Sequence, residues 1–259
     1  MSNYYFPVSS LPRISVGEAP DLSFTELINL LKENLLPSDL QKCHRLRTFY
    51  VLEDLRAMWS GLPLSAWGYY TRTELEESLV MGEGLPDYVY DFVRQHDSDA
   101  DCLAHFSQLM HKYFEYEIED SEGFIHDYLC FEREWRLVML GYRAKLLKRD
   151  VATELQYEDP HDELVVQIMA QKDAPTFVPP SGFEDLGILF EENHDAPLEM
   201  QKALCVYRFK RIHDLTESEV FSIEKILSYM VRLVIVEQWQ GLDQDQGLKI
   251  IDSIMKEVR

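Results

Sequence analysis

The chain has 259 residues, with 46 acidic against 25 basic side chains and a formal net charge of −21 at pH 7. Phosphate binding is driven mainly by positive charge and counterion release, so this balance argues against nucleic acid and against broad contact with anionic lipid headgroups. An apolar content of 46% with 27% charged residues is the composition of a folded chain with a real core, and a basic protein or cationic patch is its electrostatically natural partner.

The opening MSNYYFPVSSLPR lacks the basic and apolar regions of a signal peptide. Pro7, Pro12, Gly17 and Pro20 predict an extended leader over residues 1–22, with room for a short strand at Tyr4–Val8. Helical signals then take over. Ser23-Phe-Thr-Glu26 reads as a capping box, and Ser38-Asp-Leu-Gln41 as a second one opening a helix to about Met58. After the break SGLPLSAWGYYT, Thr73-Glu-Leu-Glu76 restarts a helix that ends near Gly82–Pro86. A helix over Tyr88–Gln95 follows, and HDSDAD caps a longer one to about Tyr116. The alternation over Phe114–Glu119 reads as a helix end, because a lone strand would have no partner.

From Gly123 a long helix carries Phe131, Trp135, Val138, Met139, Tyr142 and Leu146 at steps of three, four and seven residues. The same stretch holds Arg133, Arg136, Arg143, Lys145, Lys148 and Arg149 against only Glu132 and Glu134. In so acidic a chain this concentration of cations is out of character. It has two explanations: pairing with the chain's own acidic tracts, or an interface for an acidic partner. The six cations are the candidate partner interface.

Asp159-Pro160 follows the pattern of an N-cap and then proline at the first helical position. KDAPTFVPPSGFEDL, with three prolines and a glycine, is the clearest loop. It is the best candidate for a boundary, at 173–182, between a helical region over 23–172 and a C-terminal bundle over 183–259, with packing as one continuous domain as the alternative. Helices are expected at 183–193, 197–213, 222–240 and 243–257. The most apolar of them, FSIEKILSYMVRLVIVEQW, contains Glu224, Lys225 and Arg232, too many charges for a lipid-exposed span. The expectation is an all-α protein of antiparallel helical bundles without a fixed repeat.

Catalytic patterns are absent. There is no phosphate-cradling glycine loop and no G-x-S-x-G elbow, and Cys43, Cys102, Cys130 and Cys205 form no C-x-x-C pair. Such cysteine usage suits a reducing cytoplasm. The best metal group, His105, His111 and Glu115, does not share one helix face. Glu115, Glu117, Glu119, Asp120 and Glu122 lack the EF-hand order and read as a solvated acidic turn. Trp135, Tyr142, Tyr229 and Trp239 read as core, and offsetting a helix dipole accounts for two of the three cations Arg208, Lys210 and Arg211. No enzyme activity, cofactor or metal is expected.

Four blocks carry a resemblance: YYFPVSSLPRISVGEAPDLSF, FEREWRLVMLGYRAKLLKRD, LQYEDPHDELVVQIMAQKDA and ALCVYRFKRIHDLTESEVFSIEKILSYMVRLVIVEQW. Together they resemble an uncharacterised bacterial family whose members are typically encoded among the subunits of a V/A-type ATP synthase. That family is more distantly similar to the C-type stalk protein of the V/A-type ATPases, the counterpart of the d-type one in the vacuolar pump. The resemblance implies an all-helical, elongated or funnel-shaped protein between the central shaft and the membrane rotor ring. It would transmit torque without hydrolysing ATP and would bind shaft and rotor-ring subunits at the cytoplasmic side of the inner membrane. A helical adaptor or assembly factor for the same ATPase is the alternative. The chain is shorter than the usual C-type stalk protein, and no binding residue transfers to a numbered position.

Overall fold

Capping side chains and prolines decide where most of the helices start. The computed structural model describes residues 4–193 and 195–242, and these are all-helical, with thirteen helices and no strand among them. They divide into two compact units, one of Met1–Leu40 with Asn193–Arg259 and one of Gln41–Glu192.

In the first unit, α1 (Tyr5–Ser10) occupies the stretch expected to be extended. Pro7 stands at its third position, inside the first turn, where an amide N–H has no intrahelical acceptor to lose. Tyr4, just ahead of it, donates its N–H to Phe221 O at 2.8 Å and its hydroxyl to Asp39. Helix α2 (Phe24–Asn34) has the expected capping box, with Glu26 accepting from the Ser23 N–H at 2.8 Å. It buries Phe24, Leu27, Ile28 and Leu31. Helix α3 (Pro37–Trp59) begins with its proline one residue before Ser38.

Two long helices complete this unit, α12 (Pro197–Asp214) and α13 (Ile223–Gln240). They pack on each other, and α13 also packs on α1 and α2. Every residue of α13 from Ile223 to Val236 is buried except Glu224 and Lys225. Arg232 is among the buried ones, its guanidinium 5.0 Å over the Phe209 ring and its Nε 3.3 Å from Ser228 O. Desolvation draws its pKa down to about 10. Among the described residues no helix is long and apolar enough to cross a membrane.

The second unit holds the rest of α3, then α4 (Arg72–Met81), α5 (Asp87–Gln95), α6 (Asp99–Ala104), α7 (Phe106–Glu119), α8 (Gly123–Leu146), α9 (Val151–Glu154), α10 (Glu163–Met169) and α11 (Glu184–Asn193), whose last residue falls past its edge. Helix α4 is capped by Thr71 and Glu74, two residues before the expected Thr73 and Glu76, because Thr71-Arg-Thr-Glu74 satisfies the same pattern first. The helix expected from HDSDAD to Tyr116 is broken at His105, which ends α6 and precedes α7.

Asp159-Pro160 forms a turn. Helix α10 starts three residues later, where Asp162 Oδ1 accepts from the Leu164 and Val165 amides at 2.9 and 3.1 Å. Asp150 does the same for the unforeseen single turn of α9. The segment between α10 and α11 contains no helix, as its prolines require. It lies inside the second unit, and Phe177 packs against the core cluster of Leu137, Ala144, Val151, Leu155, Val165 and Ile168. The expected terminal helix over 243–257 falls outside the described residues.

Gly141 of α8 is what admits Phe177, since a Cβ there would stand 2.5 Å from the ring. Gly141→Ala therefore overpacks this contact and should cost about 1–3 kcal/mol, visible as a lower midpoint in thermal or denaturant unfolding. Gly141→Ala in a Phe177→Ala background should recover part of that loss. An undiminished midpoint in Gly141→Ala would contradict the packing described.

Candidate functional site

The basic stretch of α8 is best followed from its one fully buried charge. Glu132 has a side chain only 1% exposed, and Arg136 Nε sits 3.0 Å from its Oε1, one helical turn on. The Arg136 guanidinium lies 4.4 Å over the Phe49 ring of α3 and 3.9 Å from Glu53. Glu53 also faces Arg56 at 3.7 Å, and Arg56 stands 5.4 Å over the Phe106 ring. Arg143 is exposed on the same side of α8 as Arg136 and has no carboxylate within ion-pair distance among the described residues. Desolvation first, then the nearby Arg136 and Arg56, hold its pKa below the ordinary guanidinium value. Three guanidiniums thus face two carboxylates, one of them buried, and the surface left over is positive.

The other four predicted interface residues go elsewhere. Arg133 forks to Glu158 at 2.8 Å and Asp162 at 2.9 Å, strapping α8 to the start of α10. Lys145 donates to Ala174 O at 2.8 Å and to Lys172 O, holding down the proline-rich segment. Lys148 and Arg149 lie beyond the end of α8. Lys148 takes a left-handed backbone at φ 54°, and Arg149 faces Glu154 at 3.5 Å. The six cations do not make one face: Arg133, Arg136 and Arg149 pair with the chain's own acids, as one of the two sequence explanations has it. Arg56, contributed by α3, has no signal in the sequence, because only packing brings it beside Arg143.

The expected solvated acidic turn is in part buried. Glu117 is 5% exposed and meets Arg45 Nε at 2.6 Å, while Arg45 reaches Asp120 at 2.9 Å. Burial pushes the Glu117 carboxyl up and Arg45 opposes it. The four cysteines are free, and burial raises the thiols of Cys102, Cys130 and Cys205, the opposite of what an activated nucleophile needs.

His105, His111 and Glu115 are not brought together. His111 faces Glu158 at 3.4 Å, outside good hydrogen-bond geometry, and Glu115 pairs with Lys112 at 2.7 Å. His105 instead joins His96 and Asp101, with one ligand atom from each lying within 4.8 Å of the others. The two imidazoles stack with centroids 4.7 Å apart and planes 15° from parallel. His96 Nδ1 is 2.9 Å from Asp101 Oδ2, and His105 Nδ1 is 3.1 Å from Asp101 Oδ1. The sequence pattern does not reveal His96, which precedes the Ser98 cap and lies outside any helix.

Burial alone would raise the Glu158 carboxyl, but His111 and Arg133 outweigh it and hold the pKa below the usual range. A depressed acid contributes stability above its unfolded pKa, which is lost as pH falls through the folded value. The chain should therefore lose stability on acidification below about pH 4.5. Glu158→Gln should be destabilised by about 2 kcal/mol at neutral pH, with a smaller loss on acidification. Unfolding midpoints across pH 3–7 measure both, and parallel profiles for the two proteins would refute the strap.

Comparison with known proteins places this chain in a family. The family described as "Protein of unknown function (DUF2764)" matches residues 1–258. The chain is similar to an uncharacterized protein of Chlamydia pneumoniae, 29% identical over 265 residues, and to one of Chlamydia trachomatis serovar D, 25% identical over 266 residues. An uncharacterized protein of Chlamydia muridarum is 24% identical, and all three alignments cover 100% of both chains. No solved structure matches. The chain belongs to the DUF2764 family.

Proposed function

We propose that this protein is a non-catalytic component of a V/A-type ATP synthase, akin to the C-type stalk protein and coupling the central shaft to the membrane rotor ring during proton or sodium transport. The resemblance of the four sequence blocks supplies the assembly. Three properties of the chain suit the role: helices throughout the described residues, no membrane-crossing helix among them, and no phosphate-cradling loop. A coupling element has to transmit strain, and densely packed helical interiors resist compression.

The observation that carries the proposal to residues is the Arg56–Arg136–Arg143 cluster. On a chain of net charge −21 it is a local positive surface, centred on a guanidinium without an ion-pair partner among the described residues. It suits an acidic rim on a shaft or ring protein, where charge complementarity sets register and association rate. The protein would then sit at the cytoplasmic face of the inner membrane through the complex. A transient adaptor would use the same surface without being retained stoichiometrically.

Arg143→Glu should weaken association with co-expressed shaft and rotor-ring subunits by about tenfold at low salt. The difference should shrink toward about 1 M salt, where screening acts over about 3 Å. Arg136 is left intact in this test because Glu132 depends on it. Equal binding by both proteins at low salt, with the fold intact, would remove the cluster from the interface.

A further inference from the structure

We propose that His96, Asp101 and His105 form a binding site for a divalent transition-metal ion of the zinc class. One ligand atom from each side chain lies within 4.8 Å of the others. Gln108 donates its amide Nε2 to Gln95 Oε1 at 3.3 Å, so its Oε1 is what faces His96 Nε2, also at 3.3 Å. Nδ1, on the other side of the ring, stands 2.9 Å from a carboxylate oxygen of Asp101. With an ion on Nδ1, His96 carries its hydrogen on Nε2 and donates it to the Gln108 oxygen.

The second imidazole meets the same carboxylate. His105 Nδ1 lies 3.1 Å from the other oxygen of Asp101 and 2.9 Å from the Asp101 carbonyl oxygen. A hydrogen bond from His96, the largest influence, keeps the Asp101 carboxyl below its usual value and therefore ionised. The donor set is two imidazole nitrogens and one carboxylate oxygen. That set favours zinc and its neighbours over magnesium or calcium, which take oxygen ligands. Closing on an ion requires each ring to turn about its Cβ–Cγ bond, a broad and soft torsion.

The surroundings are suited to the purpose. His96 is 9% exposed in its side chain and lies against Phe92, with ring centroids 4.4 Å apart, while Asp101 and His105 are 38% and 39% exposed. One ligand is fixed in the protein and two open to solvent, which leaves an entry path and a free coordination position for water. Gln108 is the outer partner that orients His96, as outer-shell acceptors do for metal-bound histidines. The site bridges the end of α5, the first turn of α6 and the break before α7, so an ion there would tie together a segment otherwise held by short helices.

The test is calorimetric titration of the tag-free, metal-stripped full chain with zinc chloride, and separately with magnesium chloride. The wild type should bind one zinc ion per chain and no magnesium. His105→Gln and Asp101→Asn should bind zinc about tenfold more weakly or worse. His126→Gln, on an exposed histidine outside the cluster, should bind as the wild type does. Circular dichroism confirms that each variant is folded, and His105, being partly exposed, is the substitution least able to disturb the core. Absence of zinc binding by the wild type would overturn the assignment. So would undiminished affinity in folded His105→Gln and Asp101→Asn.

Discussion

A carboxylate buried in the middle of a helix constrains much of the second unit. Glu132 is 1% exposed in its side chain, and a charge so placed is tolerated only with a close opposite charge and further hydrogen bonding. Arg136, four residues on, meets it, and that commitment fixes where the guanidinium lies: over Phe49 and beside Glu53, both on α3. The buried pair thereby joins α8 to α3 at this point. The rest of α8 is organised in the same way, with Arg133 strapping α10 and Lys145 holding the proline-rich segment. In a chain with 46 acids and 25 bases, most cations of α8 are used at home. The surplus that remains, at Arg143 beside Arg56, is what makes this surface informative.

Much of the fold is legible in the sequence. Apolar periodicity locates α8, the helices expected at 197–213 and 222–240 match α12 and α13, and Ser23 with Glu26 marks the start of α2. Expectation and structure part where one local rule has two solutions. Pro7 argues against a helix by composition, although the first turn tolerates it. Asp159-Pro160 is a plausible start, but Asp162 reaches two amides and takes the capping position. The division into units is not legible, because the proline-rich segment has the composition of a linker while its Phe177 packs against the core cluster of the second unit. Phe177 fits there only because Gly141 has no side chain.

The candidate site is legible only in part. The cation cluster is visible as composition, but helical angles and the end of α8 at Leu146 divide it. Spacing cannot supply Arg56, since the contact between α3 and α8 is tertiary. The His96–Asp101–His105 group is closer to hand, within ten residues, yet helical-face arithmetic fails across a cap and a helix break. Both groups lie in the second unit, whereas the first is built round α13, buried on all sides from Ile226 to Val236.

Native mass spectrometry of the wild-type chain co-expressed with the shaft and rotor-ring subunits of a V/A-type ATP synthase tests the proposed role most directly. A one-to-one complex with the shaft, retained through purification, is the expected result. A chain that stays alone at low salt, while the shaft and ring subunits assemble without it, would contradict the coupling role.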